Sequence, residues 1–180
     1  MPLVPSMVRD VLVPWSVAVV VVSSSTPCAA AGEVAQGASK PAWPCRLVPV
    51  SKLRPVVEKG MERSETLRRQ CEELATARAV VVLEWGVMDS SSLARTEITN
   101  RDGVVVATVK LPPVGDTIAL MAHELQHVIE QTRGLDLRAE ANRAGSGVWQ
   151  ALGSYETQDA VDVERQVAKE LRAYSRVGRN

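Results

Sequence analysis

Apolar positions along the chain recur with different periods in different segments, and those periods predict its elements. Leu67, Cys71 and Leu74 fall at i, i+4 and i+7 behind Ser64, which is the stripe of one helical face behind a good N-cap. Just upstream, Pro55 suits the first turn of a short helix ending at Gly60. The β-branched run over residues 79–85 reads as a strand. Residues 93–99 and 104–111 flank Asn100-Arg101-Asp102-Gly103, a hairpin signal. In the second of these strands polar Thr108 and Lys110 alternate with Ala107, Val109 and Leu111, so one face is expected to be partly solvated. Pro112-Pro113-Val114-Gly115 stops that strand, and Asp116 caps a helix running to about residue 131 with Gly134 near its end. Residues 133–153 read as a loop with one helical turn. A last helix over 155–174 carries Ala160, Val163, Val167 and Leu171 along one face. This order predicts a small α+β domain, with a short antiparallel or mixed sheet of about three strands.

The beginning of the chain follows another logic. Arg9 precedes an apolar run over 11–22, and Ala29 and Ala31 stand three and one residues before a cut after Ala31. This is the secretory signal-peptide pattern, predicted over residues 1–31. A retained membrane anchor is the alternative; the run is shorter than the roughly 20 residues that span a bilayer, which favours cleavage and no stable membrane insertion afterwards. Residues 32–44 are small and polar and read as a flexible tether before a domain over 45–180. Of three cysteines the cut removes Cys28 and leaves Cys45 and Cys71. In the oxidising setting of a secreted or periplasmic protein these two can bridge, or remain separate thiols.

Composition narrows the function classes. The chain has 180 residues, with 21 basic against 21 acidic side chains and 46% hydrophobic content. The balance leaves no electrostatic footprint for a nucleic-acid partner. With no Phe present, Trp43, Trp85 and Trp149 are the expected large core pieces.

Both histidines of the protein lie in His123-Glu124-Leu125-Gln126-His127. On a helix, a spacing of four puts the two imidazoles one turn apart on one face, where both reach one metal ion. Neutral imidazole suits Zn²⁺, and Glu124, about 100° around the helix from His123, falls where it can take a proton from a water acidified by that ion. A catalytic zinc keeps three protein ligands and an open position. No third histidine exists, so the third ligand is expected to be one of the downstream carboxylates Glu130, Asp136, Glu140, Glu156, Asp159, Asp162 and Glu164. Glu130 shares the helix face two turns beyond His123 and reads as an outer partner holding an imidazole. Glu156 lies on the inward face of the last helix, where an unpaired carboxylate is costly. Glu156 is therefore the first choice for the third ligand and Glu164 the second. A di-metal bundle site would need a second Glu-x-x-His, which the chain lacks.

The HELQHVIE segment over 123–130 and the later Tyr155-Glu156-Thr157 resemble a zincin metallopeptidase of the gluzincin type. They are also similar to an uncharacterised group of small exported bacterial proteins. The resemblance covers residues 79–175. It implies an active-site helix beneath a sheet, a third ligand on a following helix, and an edge strand, here expected to be Val104–Leu111, that pairs with extended peptide or protein substrate. The family often has an acidic residue four after its ligand Glu, whereas Ala160 stands here. It often uses another histidine to stabilise the oxyanion, and Tyr155 is the nearest candidate for that role. The expected function is an exported zinc-dependent hydrolase with Glu124 as general base. A zinc-stabilised binding or structural domain without turnover is the other reading.

Overall fold

Alternation of buried and half-buried residues builds the sheet and gives it one covered face. The computed structural model describes residues 43–86, 94–113, 115–151 and 154–177; the predicted leader and the tether up to residue 42 lie outside the described residues. The element order is β1 (Arg46–Pro49), α1 (Arg54–Arg63), α2 (Glu65–Thr76), β2 (Val80–Trp85), β3 (Arg95–Arg101), β4 (Val104–Leu111), α3 (Thr117–Thr132), α4 (Leu137–Ala141), β5 (Val148–Ala151), β6 (Ser154–Thr157) and α5 (Gln158–Val177). The fold class is α+β, as the sequence predicts. The sheet is larger than expected, with four strands in the order β1-β2-β4-β3 and a separate β5–β6 ribbon.

β1, β2 and β4 run parallel, and β3 returns antiparallel to β4. Register aligns Leu47 with Val81, Val81 with Ala107 and Leu83 with Val109, so the buried side chains share one face. Those residues and Leu111 form one core with Leu67, Leu74, Met121, Leu125 and Val128 of the helices. Thr108 and Lys110 are half-buried on the other face, as predicted. β4, however, is not an edge strand: β2 and β3 flank it, and β3 is the edge. The hairpin closes on Asp102 and Gly103, whose φ values of 52° and 79° are those of a tight turn matching strand twist.

The helix limits follow their capping chemistry. Ser64 accepts a hydrogen bond from Leu67 N to start α2, and Asp116 accepts one from Ala119 N to start α3. At the far end of α3, Gly134 N donates to Gln131 O and Leu135 N to Glu130 O, with Gly134 at φ 76°. This is a Schellman closure. Gly60 does not end α1. A Cβ there would lie 2.7 Å from Leu67 Cδ2 and 3.0 Å from Ile118 Cγ2, so it is glycine for close approach of α1 to α2 and α3.

Trp43 is buried in the core as expected, which places it with the domain rather than with the tether. Two other expectations are corrected. Trp149 is 39% exposed rather than buried. The last helix begins at Gln158, because 154–157 pair with 148–151 as a ribbon. Tyr155 and Glu156 are therefore strand residues. No helix among the described residues is long and apolar enough to cross a membrane.

Two ties hold the helices to the frame. Cys45 and Cys71 form a disulfide between the segment entering β1 and the middle of α2. The Glu170 carboxylate on α5 accepts hydrogen bonds from Ser64 Oγ (2.6 Å), Thr66 Oγ1 (2.7 Å) and Thr66 N (3.3 Å), reaching the start of α2 from outside. Reduction of the disulfide should lower unfolding free energy by about 3 kcal/mol on loop-entropy grounds, read from the denaturant midpoint. Burial opposes the charged form of Glu170, but the bonds from Ser64, Thr66 and Gln166 outweigh it and hold the carboxyl below its ordinary value. Its contribution is thus full above the unfolded pKa of 4.5 and disappears as pH falls through the lower folded value. Glu170→Ala should cost about 1 kcal/mol at neutral pH after allowance for solvent screening, and in an acid denaturation series the difference from wild type should shrink as pH falls through the lowered folded-state value.

Candidate metal centre

Core packing of α3 decides which of its side chains are left for chemistry. Ile118, Met121, Leu125, Val128 and Ile129 bury the other positions in the core, which fixes the helix's rotation. His123 and His127 then stand one turn apart with ring centroids 5.0 Å apart. Their Nε2 atoms converge, each 3.1 Å from the same atom, Glu156 Oε1. One ligand atom from each of His123, His127 and Glu156 lies within 4.8 Å of the others, close enough to hold one ion.

Each imidazole is held from behind by a second carboxylate. Glu164 Oε2 on α5 is 3.0 Å from His123 Nδ1, and Glu130 Oε2 on α3 is 3.0 Å from His127 Nδ1. A carboxylate on Nδ1 keeps a proton there and turns the Nε2 lone pair to the centre, as metal-binding histidines require. Glu164, the second choice for third ligand, is thus placed behind a ligand rather than beside it. Glu130 stands where the helix spacing predicts.

Glu156 reaches the centre from β6 and not from the expected helix. Thr157, which the sequence reading overlooked, makes this possible through three bonds. Its N–H donates to Glu156 Oε1 (3.1 Å), its hydroxyl donates to Glu130 Oε1 (2.7 Å), and the same hydroxyl accepts from Ala160 N (3.0 Å) to start α5. A Thr three residues before an inward Ala is a legible cap signal, but its tie to Glu130 is not local.

Glu124 points to another neighbour. The β3–β4 register sets Thr96 opposite Val109, on the helix-covered face, and the Thr96 hydroxyl donates a short hydrogen bond to Glu124 Oε2. Thr96 also carried no signal in the sequence. Tyr155 is not brought to the cluster: alternation along β6 turns it to the ribbon face opposite Glu156. No hydrogen bond among the described residues links it to either histidine.

Electrostatics favour a cation. Four carboxylates, Glu124, Glu130, Glu156 and Glu164, surround two imidazoles. Burial pushes the Glu124 carboxyl above its ordinary value against the pull of Thr96 and the histidines. Burial also disfavours charged His127, yet Glu130 and Glu156 outweigh it and raise its pKa to about 9. Partial burial opposes the charged form of Glu156 too, but the bonds from His123 and His127 hold its carboxyl far below the usual range. Two nitrogens and a carboxylate oxygen are a donor set for Zn²⁺, and Mn²⁺ or Co²⁺ accept it as well. A divalent ion replacing the Nε2 protons keeps the charge compensation the cluster needs.

No protein-family model, curated protein or solved structure matches this chain. The donor geometry therefore carries the functional argument by itself.

Removing charge behind the ligands should weaken metal binding without abolishing it. Glu130→Gln and Glu164→Gln should each lower affinity by roughly 10–100-fold in chelator competition. Glu130→Gln should also lower the melting temperature, because Glu130 is buried and bonded to Thr157.

Proposed function

We propose that the protein is an exported zinc-dependent hydrolase of the zincin type, acting on peptide or protein substrates. The observation that carries this reading is Glu124, which lies within electrostatic reach of both histidines and of Glu156, beside a three-residue His123–His127–Glu156 donor set, the number of protein ligands a catalytic zinc keeps. A zinc ion held by these three residues would polarise a carbonyl and acidify water. The remaining work belongs to the chain. Glu124 Oε2 is held by Thr96, which leaves Oε1 to take the proton of the attacking water and pass it to the leaving nitrogen. Glu130 and Glu164 keep the imidazoles in orientation.

The edge strand supports a peptide substrate. Among the described residues no strand pairs with the outer side of β3, which takes the place of the expected β4, and Thr96 on it contacts Glu124. A segment of extended chain added to β3 would satisfy its unpaired backbone groups and run beside the base. The Cys45–Cys71 bridge fits an oxidising compartment, in keeping with the leader read from residues 1–31. The protein is accordingly proposed to be secreted or periplasmic.

Metal analysis of the purified domain and casein hydrolysis test the reading together. Wild type should contain one zinc per chain, and His123→Ala and Glu156→Ala should lose it. Glu124→Gln should retain zinc while hydrolysis of denatured casein falls at least a hundredfold. Zinc retained by all variants would overturn the ligand assignment. Zinc present in wild type with no hydrolysis, and no effect of Glu124→Gln, would make the ion a structural staple.

A further inference from the structure

Trp149 has an exposure that folding does not explain. Among the described residues the large apolar side chains most open to solvent are Val48, Val50, Trp149 and Tyr174. Val48 and Val50 are on and just beyond the edge strand β1, and Tyr174 donates its hydroxyl to Glu62 beneath the Arg63 guanidinium. Trp149 is the one that stands beside the histidine–carboxylate cluster. Its strand pairs antiparallel with β6, and the register places Trp149 directly opposite Glu156. Directly opposed residues share a face, with Cβ atoms about 5 Å apart. The indole is therefore next to the side chain on which both Nε2 atoms converge.

Trp149 is also not what anchors its ribbon. The hydrogen bonds that tie the ribbon to α3 are those of the Thr157 hydroxyl to Glu130 (2.7 Å) and of Glu156 with the two histidines. Glu156 cannot fold over the indole, because the two histidines and Thr157 N hold its carboxylate. An indole carries a large apolar surface, and leaving 39% of it open beside a polar centre provides a wall without a lid.

We propose that Trp149 is a specificity-determining residue, forming the apolar wall of a subsite for the side chain next to the reacting carbonyl and selecting substrates with a large apolar residue there. The inference rests on the hydrolase reading. It adds the substrate class that this reading leaves open, namely peptides with Leu-like or aromatic side chains beside the scissile bond. The ligands and base set the chemistry, and the indole sets which chain is positioned for it.

Binding of two small probes tests this without turnover. Cobalt-loaded protein is titrated with leucine hydroxamate and with glycine hydroxamate, read by the visible absorption of the cobalt. Wild type should bind the leucine compound about tenfold tighter, the low end expected for an apolar contact open on one side. Trp149→Ala should bring the ratio close to one, leave the glycine affinity unchanged and take up cobalt as wild type does. Trp149→Phe should keep most of the ratio, and Trp149→Gln should lose it should the alanine variant fail to fold. An unchanged ratio in Trp149→Ala or Trp149→Gln, or no preference in wild type, would overturn the proposal. Failure of wild type to bind cobalt would instead bring down the hydrolase reading, and this inference with it.

Discussion

The hydrogen bond from the Thr157 hydroxyl to the Glu130 carboxylate is the joint on which the site depends. It fastens the start of α5 to α3, and each side of it positions part of the cluster. On one side, Glu130 turns its other oxygen to His127 Nδ1. On the other, Thr157 directs its N–H at Glu156 and accepts the first capping bond of α5. Glu164 follows two turns along that helix and meets His123. One hydroxyl thereby sets the registration of five side chains drawn from two helices and a strand. Both partners are buried, so loosening the joint would leave an unsatisfied carboxylate inside the protein.

Such a concentration of charge works against stability, and the scaffold around it is built to withstand that. Carboxylates outnumber imidazoles two to one, and Glu124 and Glu130 are almost out of water. The opposite face of α3 is packed with Ile, Met, Leu and Val at close to zero exposure, so the helix cannot rotate to relieve the repulsion. α5 is pinned beside it by Glu170 at the start of α2. α2 is in turn tied through Cys71 to the segment entering β1. These two ties lie away from the cluster and add to the one that Glu130 itself makes with Thr157.

What the sequence revealed, and what it hid, follows the range of the interactions concerned. The period of α3, its Asp116 cap, its Gly134 closure and the His spacing are local, and all were legible. Glu156 was picked out by elimination and by its inward position, but on the wrong element. The four residues of β6 are too few to display an alternation, and so are the four of its ribbon partner β5. β1 was missed for the same reason, being four residues ending in Pro49. Sheet order was not legible either. Whether β3 or β4 forms the edge depends on which strand β2 pairs with, and nothing in the alternation of β4 encodes that. The phase of the last helix put Glu164 near the inward face, though away from its centre. It could not distinguish a carboxylate that meets Nε2 from one that meets Nδ1, because that choice turns on where β6 enters.

Glu124, the proposed base, and the edge strand β3 are coupled by the same side chain, which under the proposed function would bear on how a substrate is presented. Thr96 faces the helices because it is opposite Val109, while Arg95 and Glu97 on either side of it face the other way. Its hydroxyl fixes one oxygen of Glu124. A chain pairing with the open side of β3 would be aligned by the strand that orients the carboxylate, so its backbone register and the direction of proton transfer would be set together. β3 governs the backbone in this arrangement and is blind to side chains. Discrimination between sequences then has to come from outside the sheet, and the β5–β6 ribbon, which carries Glu156 on one strand and Trp149 opposite it on the other, is the element placed to supply it.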